Sequence, residues 1–283
     1  MKEIEIKAYG KINLFLDVLG KRSDGYHYVQ MIMQSISLAD TVLVRTSVAG
    51  PGISSNREKS IPLNQDNIAL KAWLLMQRLY HLPGSVEIDL HKEIPVGAGL
   101  AGGSTDAAAV LKAVNILYNL ALTNEELAQI GEQLGADVPF CITGGTVLAE
   151  GIGEVLTPLP KVPQMWLVLV NPGFEVSTAQ VYRHLDLTAL SRHGNISGMI
   201  DAIGKGDFNK ICTGMENVLE NVTIKMHPVL FDIKKELAAL GLYPLMSGSG
   251  PTVFGVAETK EKALWAAEKL QGKWETVITA YTV

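Results

Sequence analysis

The sequence has almost no cysteine, no cluster of basic residues and no long apolar run, and each shortage narrows what the 283-residue chain can be. Lysine and arginine number 24 against 29 acidic residues, a net charge of −5. Without a basic stripe or basic helix, binding to a nucleic-acid polymer is disfavoured, so an anionic ligand must be held by local devices such as helix N-termini. The two cysteines, Cys141 and Cys212, form no spaced pattern. Two buried free thiols in a reducing compartment is the better reading, with one long-range disulfide left open. The six histidines fall at no metal-ligand spacing, which argues against a dedicated zinc site. No apolar run approaches the length of a membrane span, and the opening MKEIEIKAYG interleaves charge with apolar residues, unlike a signal peptide. The expectation is a soluble cytoplasmic protein, monomer or homodimer, with no membrane and no nucleic acid among its partners.

What the chain does have is a core and punctuation. Hydrophobic residues make up 47% and charged residues 19%, the balance of a folded globular chain long enough for two ordinary domains. Apolar residues occupy the even positions from 4 to 18, the period of a half-buried strand, or of two strands interrupted at Gly10. Asp24-Gly25 is a hairpin signal. Strands are expected at 29–36, 41–46, 86–90, 146–149, 165–170, on both sides of SGSGPT, and at 275–281. Helices are expected at 67–82, from the end of the glycine loop to 117, from the capping box Thr123/Glu126 to about 135, and at 177–185, 208–224, 228–240 and 260–271. A loop covers 49–62. The prolines of PLPKVPQ, 158–164, mark a break between halves. The reading is α+β in two parts.

The stretch EIPVGAGLAGGSTDAAAVL, 93–111, fits three phosphate-binding patterns at first sight. The dinucleotide fingerprint needs a strand directly before its glycines and a second, acid-terminated strand about 20 residues on. Here Pro95 intervenes and the downstream stretch NILYNLALT continues the helix. The P-loop needs a lysine where Gly103 stands. Both fail. The survivor is a glycine-rich loop leading into a helix. Its glycines let the backbone approach a ligand, and the helix N–H groups and dipole at Ser104 and Thr105 suit a nucleotide phosphate. A plain connector with Ser104 or Thr105 as N-cap is the alternative.

PVGAGLAGGSTDAAAVL resembles the second motif of the GHMP kinases, the family of galactokinase, homoserine kinase and mevalonate kinase. MSGSGPTVFG, 246–255, looks like that family's third motif. AYGKINLFLDVLGKRSDGYH, 8–27, and LGADVPF, 134–140, resemble the branch that acts on a cytidine-diphosphate-linked polyol in the non-mevalonate route to isoprenoid precursors. The four segments occur in order over nearly the whole chain.

The resemblance implies a two-domain α+β GHMP kinase fold. Residues 1–160 would form a domain like the second domain of ribosomal protein S5, and 161–283 a ferredoxin-like domain, with the active site in a cleft between them. It implies ATP-dependent phosphorylation of the polyol's 2-hydroxyl. Lys11 and Asn13 share the odd face of their strand, Cα atoms about 7 Å apart; a solvated face explains them equally well. The resemblance makes Lys11 catalytic, stabilising the transferring phosphoryl group or lowering the pKa of the attacking hydroxyl, and has Asn13 contact substrate. Asp137 reads by itself as a helix N-cap ahead of Pro139; the family motif makes it the general base.

Tyr26 and Tyr182 would stack on the two faces of a cytosine, with His27 bonding its edge through its backbone and Thr178 sharing a helix face with Tyr182. Relatives often carry phenylalanine where Tyr182 stands, a departure that keeps the aromatic face. The implied ATP site comprises Asn67, Lys92, Pro95, Val96, Gly97, Ala98, Gly99, Leu100, Ala101, Gly102, Gly103, Ser104 and Thr105; Lys92 could as easily be a solvated strand end. Mg²⁺ is expected with ATP, its protein ligands unassigned. Another GHMP small-molecule kinase and a catalytically silent sensor on the same fold are the rival readings.

Overall fold

The computed structural model describes the backbone of residues 2–189 and 193–283. In chain order its elements begin with β1 (Glu3–Lys21), β2 (His27–Ser47), β3 (Gly52–Ser55), α1 (Ile68–Tyr80), β4 (Ser85–His91), α2 (Gly102–Leu117), α3 (Asn124–Glu132), α4 (Val138–Thr143), β5 (Thr146–Glu150) and β6 (Val155–Pro158). There follow β7 (Trp166–Asn171), α5 (Thr178–His184), α6 (Ile196–Gly204), α7 (Phe208–Gly214), β8 (Glu216–Asn217), α8 (Glu220–Met226) and α9 (Val229–Ala239). The last elements are β9 (Tyr243–Met246), β10 (Val253–Ala257), α10 (Lys260–Leu270) and β11 (Thr276–Tyr281).

Two expectations are corrected and one open alternative is decided. The alternation at 4–18 forms one strand rather than two interrupted at Gly10. Gly10 is buried within it, and the Lys11 N–H donates to the Leu100 carbonyl at 3.1 Å. The stretches 29–36 and 41–46 likewise join into β2, in which the intervening Asp40 is buried and accepts the N–H groups of Glu93 and Ile94 at 2.6 and 2.8 Å. The single helix expected over 208–224 is interrupted: Glu216 and Asn217 pair in parallel with Phe15 and Leu16, a tertiary contact that overrides local helix propensity. The sequence reading also missed β3 within the loop at 49–62, β6 and α6.

The chain forms two compact units, and it passes from one to the other within β1 and β2. The first comprises Met1–Gly10, Leu38–Val96 and Ala101–Gly144. In it β4 pairs antiparallel with the second half of β2, from Thr41↔His91 to Ser47↔Ser85, and β3 adds in parallel to β4. Helices α1 and α2 pack on each other, and α2 also packs on α3 and α4. The alanines of α2 (Ala107, Ala108, Ala109 and Ala113) are all buried and leave room for Trp73, Met76 and Leu70 of α1. Thr123 caps α3 as expected, its hydroxyl accepting the Glu126 N–H while the Glu126 carboxylate accepts the Thr123 N–H at 2.8 Å.

The second unit comprises Lys11–Ser37, Gly97–Leu100 and Gly145–Val283. Its four-stranded antiparallel sheet runs β11-β7-β10-β9, with α9 and α10 packed against it. Taken in chain order, those strands lie fourth-first-third-second, with a helix before the second and another before the fourth. That is the ferredoxin-like arrangement expected of this half. Here too the first half of β2 pairs with β5, β5 pairs with β6, and β1 pairs with β8.

Candidate active site

On β1 every residue from Gly10 to Val18 is buried, on both faces of the strand. The solvated-face reading of Lys11 and Asn13 therefore falls. Lys11 is 5% exposed, Asn13 is fully buried, and the Lys11 ammonium donates to Asn13 Oδ1 at 2.7 Å. Asn13 Nδ2 faces Met31 Sδ at 3.5 Å.

Two glycine-rich segments of the second unit meet beside this pair. Lys11 N–H holds Leu100 O, and the Ser247 hydroxyl donates to Gly99 O at 2.9 Å. Gly99 has φ +73°, and a Cβ there would lie 2.3 Å from Ser247 O and 2.9 Å from Gly250 O. Only glycine permits that approach. A Cβ on Gly248 would lie 3.5 Å from Lys11 Nζ, so the 246–250 loop runs directly alongside the ammonium. Asn217 holds that loop in shape, donating to Met246 O at 2.7 Å and Gly248 O at 2.8 Å.

In the first unit, α2 starts earlier than a Ser104 or Thr105 N-cap would require. Ala101 takes the N-cap position with φ 60° and no side-chain cap, so Gly102, Gly103 and Ser104 form the first turn. Their N–H groups have no partner within the helix and point along its positive end. The Thr105 hydroxyl instead donates to Tyr9 O at 2.8 Å. Ile68, the residue after Asn67, approaches Gly103: a Cβ there would meet Ile68 Cγ2 at 3.4 Å. A Cβ on Gly135 would lie 4.0 Å from Ser104 Oγ, which brings the 134–140 segment up to the same turn. Asn67 itself caps α1, its Oδ1 accepting Ala69 N–H at 2.9 Å and its Nδ2 donating to Pro62 O at 2.8 Å. Pro95 and Val96, at the start of the loop, are half-buried.

Lys92 is no solvated strand end. It is 4% exposed, and its ammonium is shared between the carboxylates of Asp40 and Asp106, the second at 2.5 Å, with Gly102 O at 3.3 Å. Burial pushes the Asp106 carboxyl up to about 7; Lys92 pulls it down and Asp40 pushes it up. Asp137 stands at the N-cap of α4 but makes no side-chain capping bond, which removes the main argument for the capping alternative.

The aromatic residues lie in the second unit. Asp24 and Gly25 shape the loop between β1 and β2: Arg22 N–H donates to Tyr26 O at 2.7 Å, and Asp24 Oδ1 accepts Tyr26 N–H at 3.1 Å. Tyr26 is 61% exposed. The His27 and Tyr182 rings pack with centroids 5.1 Å apart and planes at 33°. Burial, assisted by Lys21, lowers the His27 pKa and favours the neutral ring. Thr178, one turn before Tyr182, shares a 2.8 Å hydrogen bond with the Ser249 hydroxyl and so links α5 to the 246–250 loop.

Sequence reading missed Asp40, Asp106, Asn217 and Ser249. Asp106 carried a signal, because the period that buries Val110, Ala113 and Leu117 places it on the same buried helix face. Ser249 stood within the MSGSGPTVFG motif without being singled out, and Asp40 and Asn217 carried no signal, since their partners come from distant segments. Among the described residues no disulfide joins the two cysteines: Cys212 is buried, with burial pushing it up to about 12, while Cys141 is only half-buried.

The chain matches two family models, "GHMP kinases N terminal domain" over residues 67–145 and "GHMP kinases C terminal" over 199–276. It is 49% identical to 4-diphosphocytidyl-2-C-methyl-D-erythritol kinase of Acetivibrio thermocellus, with 99% of each chain covered. A crystal structure of 4-(cytidine 5'-diphospho)-2C-methyl-D-erythritol kinase superposes with TM-score 0.84 at 35% identity, again over 99% of both chains. Homoserine kinase from Cytophaga hutchinsonii, at 21% identity and TM-score 0.80 over 100% of this chain and 95% of its own, shares the fold. The chain belongs to the GHMP kinase family, in its 4-diphosphocytidyl-2-C-methyl-D-erythritol kinase branch.

Proposed function

We propose that the protein transfers the γ-phosphoryl group of ATP to the 2-hydroxyl of 4-diphosphocytidyl-2-C-methyl-D-erythritol, giving the 2-phosphate and ADP. The observation that carries the reading is Lys11: a buried ammonium, oriented by Asn13, beside two loops whose backbones only glycine could bring so close. Phosphoryl transfer leaves little covalent work for a protein, so catalysis rests on positioning and on fixed positive charge at the transferring group. Lys11 supplies the charge. The first-turn N–H groups of α2 at Gly102, Gly103 and Ser104 hold phosphate, in a loop running from Pro95 to Thr105 with Asn67 close by. Asp137 takes the proton of the attacking hydroxyl.

The names of the full-length relatives support the choice of substrate, as do the aromatic side chains of Tyr26 and Tyr182. A cytosine flanked by rings and bonded at its edge by His27 is how unpaired bases are read. Thr178 and Asn13 complete the substrate side. Among the described residues no group of three or more His, Cys, Asp or Glu could cage a metal. Mg²⁺ is expected with ATP in this reading, where it would neutralise phosphate charge, and no protein ligand is assigned to it. The reading keeps the division into 1–160 and 161–283, which the two family matches straddle. It also keeps a cytoplasmic monomer or homodimer; no described helix is long and apolar enough to cross a membrane.

The test is ADP release with MgATP and three acceptors: the cytidylated polyol, the same polyol phosphate without cytidine, and mevalonate. Asp137→Asn runs beside wild type. Turnover of the cytidylated compound alone, lowered about 10²- to 10⁴-fold by the substitution, supports the reading. Turnover of either other acceptor sinks the cytosine recognition. Nucleotide binding without turnover of any acceptor sinks the kinase.

A further inference from the structure

Lys92, Asp40 and Asp106 form an ionic group in the first unit that the reaction outlined above does not use. All three side chains are nearly inaccessible, with exposures of 3%, 0% and 4% in that order. One ammonium stands between two carboxylates, and Asp106 Oδ1 has no hydrogen-bond partner. A group of this kind is poor value as a fold stabiliser: well-packed apolar side chains of the same volume would serve as well or better, and an unsatisfied buried oxygen is a further loss. Its location gives it another use. Asp40 Oδ1 accepts the N–H groups of Glu93 and Ile94, which lead into the glycine loop. Asp106 lies on α2, which leaves the loop, and its side chain slants toward the start of that helix, as helical side chains do. Lys92 joins the two and also reaches the carbonyl of Gly102, the first helical residue.

The packing around Gly102 agrees. A Cβ there would lie 3.1 Å from Ile94 Cγ2 and 3.4 Å from Lys92 Nζ. The residues before and after the loop are therefore stacked on each other, with Lys92 as the tie.

We propose that Asp40 and Asp106 are positioning residues that act through Lys92, clamping the two flanks of the nucleotide loop so that the first turn of α2 is held at the place where the ATP phosphates bind. The proposal rests on the reading of the 95–105 loop as the ATP site. It recasts Lys92: its ammonium is already held by two carboxylates, and its part in nucleotide binding is to fix the loop. Burial that favours a neutral Asp106 fits this role, because it limits the negative charge lying beneath a phosphate site.

The test compares wild type with Asp106→Leu, Asp106→Asn, Lys92→Met and the double variant Lys92→Met/Asp106→Leu. ADP binding is measured by calorimetry, and KM is measured separately for ATP and for the acceptor alcohol. Displacing a bound group by about 1 Å can cost on the order of 100-fold. The expected result is a rise of about tenfold or more in the ADP Kd and ATP KM of Asp106→Leu, with the acceptor KM changed by less than about twofold. Asp106→Asn, which keeps an acceptor for Lys92, restores most of the binding, and the double variant binds no worse than Lys92→Met. Equal rises in both KM values, unchanged ADP binding by folded Asp106→Leu, or additive losses in the double variant would overturn the proposal. Should Asp106→Leu not fold, Asp40→Asn carries the same comparison. A wild type that binds no ADP would overturn the ATP-site reading itself, a result distinct from normal wild-type binding that the variants leave untouched.

Discussion

The Lys11 ammonium lies 2.7 Å from Asn13 Oδ1, two residues on along the same buried strand face. The amide fixes where the ammonium points without neutralising its charge, and the Gly248 backbone closes in beside both groups. A cation held this way needs no reorganisation when charge develops on a transferring group. Lys11→Met keeps the length of the side chain and removes the charge. The expected result is a fall in kcat of about 10²- to 10³-fold with a smaller change in ATP KM, read from steady-state rates beside an unchanged circular-dichroism spectrum. A fall in ATP affinity alone would assign Lys11 to binding instead.

Gly99 and Gly103 separate two uses of glycine. At Gly99 a methyl group would be driven into the carbonyl oxygens of Ser247 and Gly250, and φ is +73°. The backbone strain alone is worth about 1–3 kcal/mol, so Gly99→Ala lowers Tm. Gly103 sits in the first turn of α2 with ordinary helical geometry, and its Cβ would only touch Ile68. Gly103→Ala therefore leaves Tm unchanged or raises it, since alanine is favoured over glycine in a helix by about 0.5–1 kcal/mol. It weakens ATP binding if the phosphate approaches that exposed turn. Thermal melts and ATP KM values for the two variants check both halves.

Tyr182 covers the His27 ring, and burial lowers the pKa of that imidazole. Tyr182→Ala uncovers it. The His27 pKa then climbs back toward its ordinary value, a change that NMR titration of the ring reads directly. Losing one base-stacking surface is worth about 1–3 kcal/mol, so KM for the cytidylated acceptor rises roughly 5- to 150-fold while ATP KM stays put. Tyr182→Phe keeps the ring and behaves as wild type. Equal effects on both substrates would detach Tyr182 from base recognition.

How much of this was legible in the sequence depended on the distance between partners. The capping box of α3, the Asp24-Gly25 turn and the helical period of α2 are local patterns, and each stands where it was expected. In β1 the period left one strand or two open at Gly10, and its burial and the neighbouring Leu100 contact keep the strand continuous. The helix expected over 208–224 was broken by a pairing with β1 from some 200 residues earlier, and no local propensity reports that. In the site, alternation along β1 placed Lys11 and Asn13 on one face but did not say whether that face met water. Asp40 was hidden for the same reason: a lone aspartate between strand-like stretches reads as a turn until its three partners, Glu93, Ile94 and Lys92, come into place.

Asp106 gives the stability of the protein a sign that ordinary carboxylates lack. Burial raises its pKa from 3.8 to about 7, against the pull of Lys92 and with the push of Asp40. A group whose folded pKa lies above its unfolded value stabilises the fold at low pH and loses that contribution as pH rises through the folded value. The contribution is therefore fully present below about pH 4 and gone above about pH 7. Asparagine at this position cannot ionise, keeps an acceptor for Lys92 and leaves Lys92 paired with Asp40 alone. The stability of Asp106→Asn relative to wild type thus increases from pH 4 to pH 7 and is flat above it. Denaturant melts of both proteins across pH 4.5 to 8.5 measure the difference directly, and paired carboxylates elsewhere cancel in the comparison. A difference that stays flat throughout, or that falls as pH rises, would mean that the carboxyl titrates in its ordinary range and that Lys92 outweighs burial.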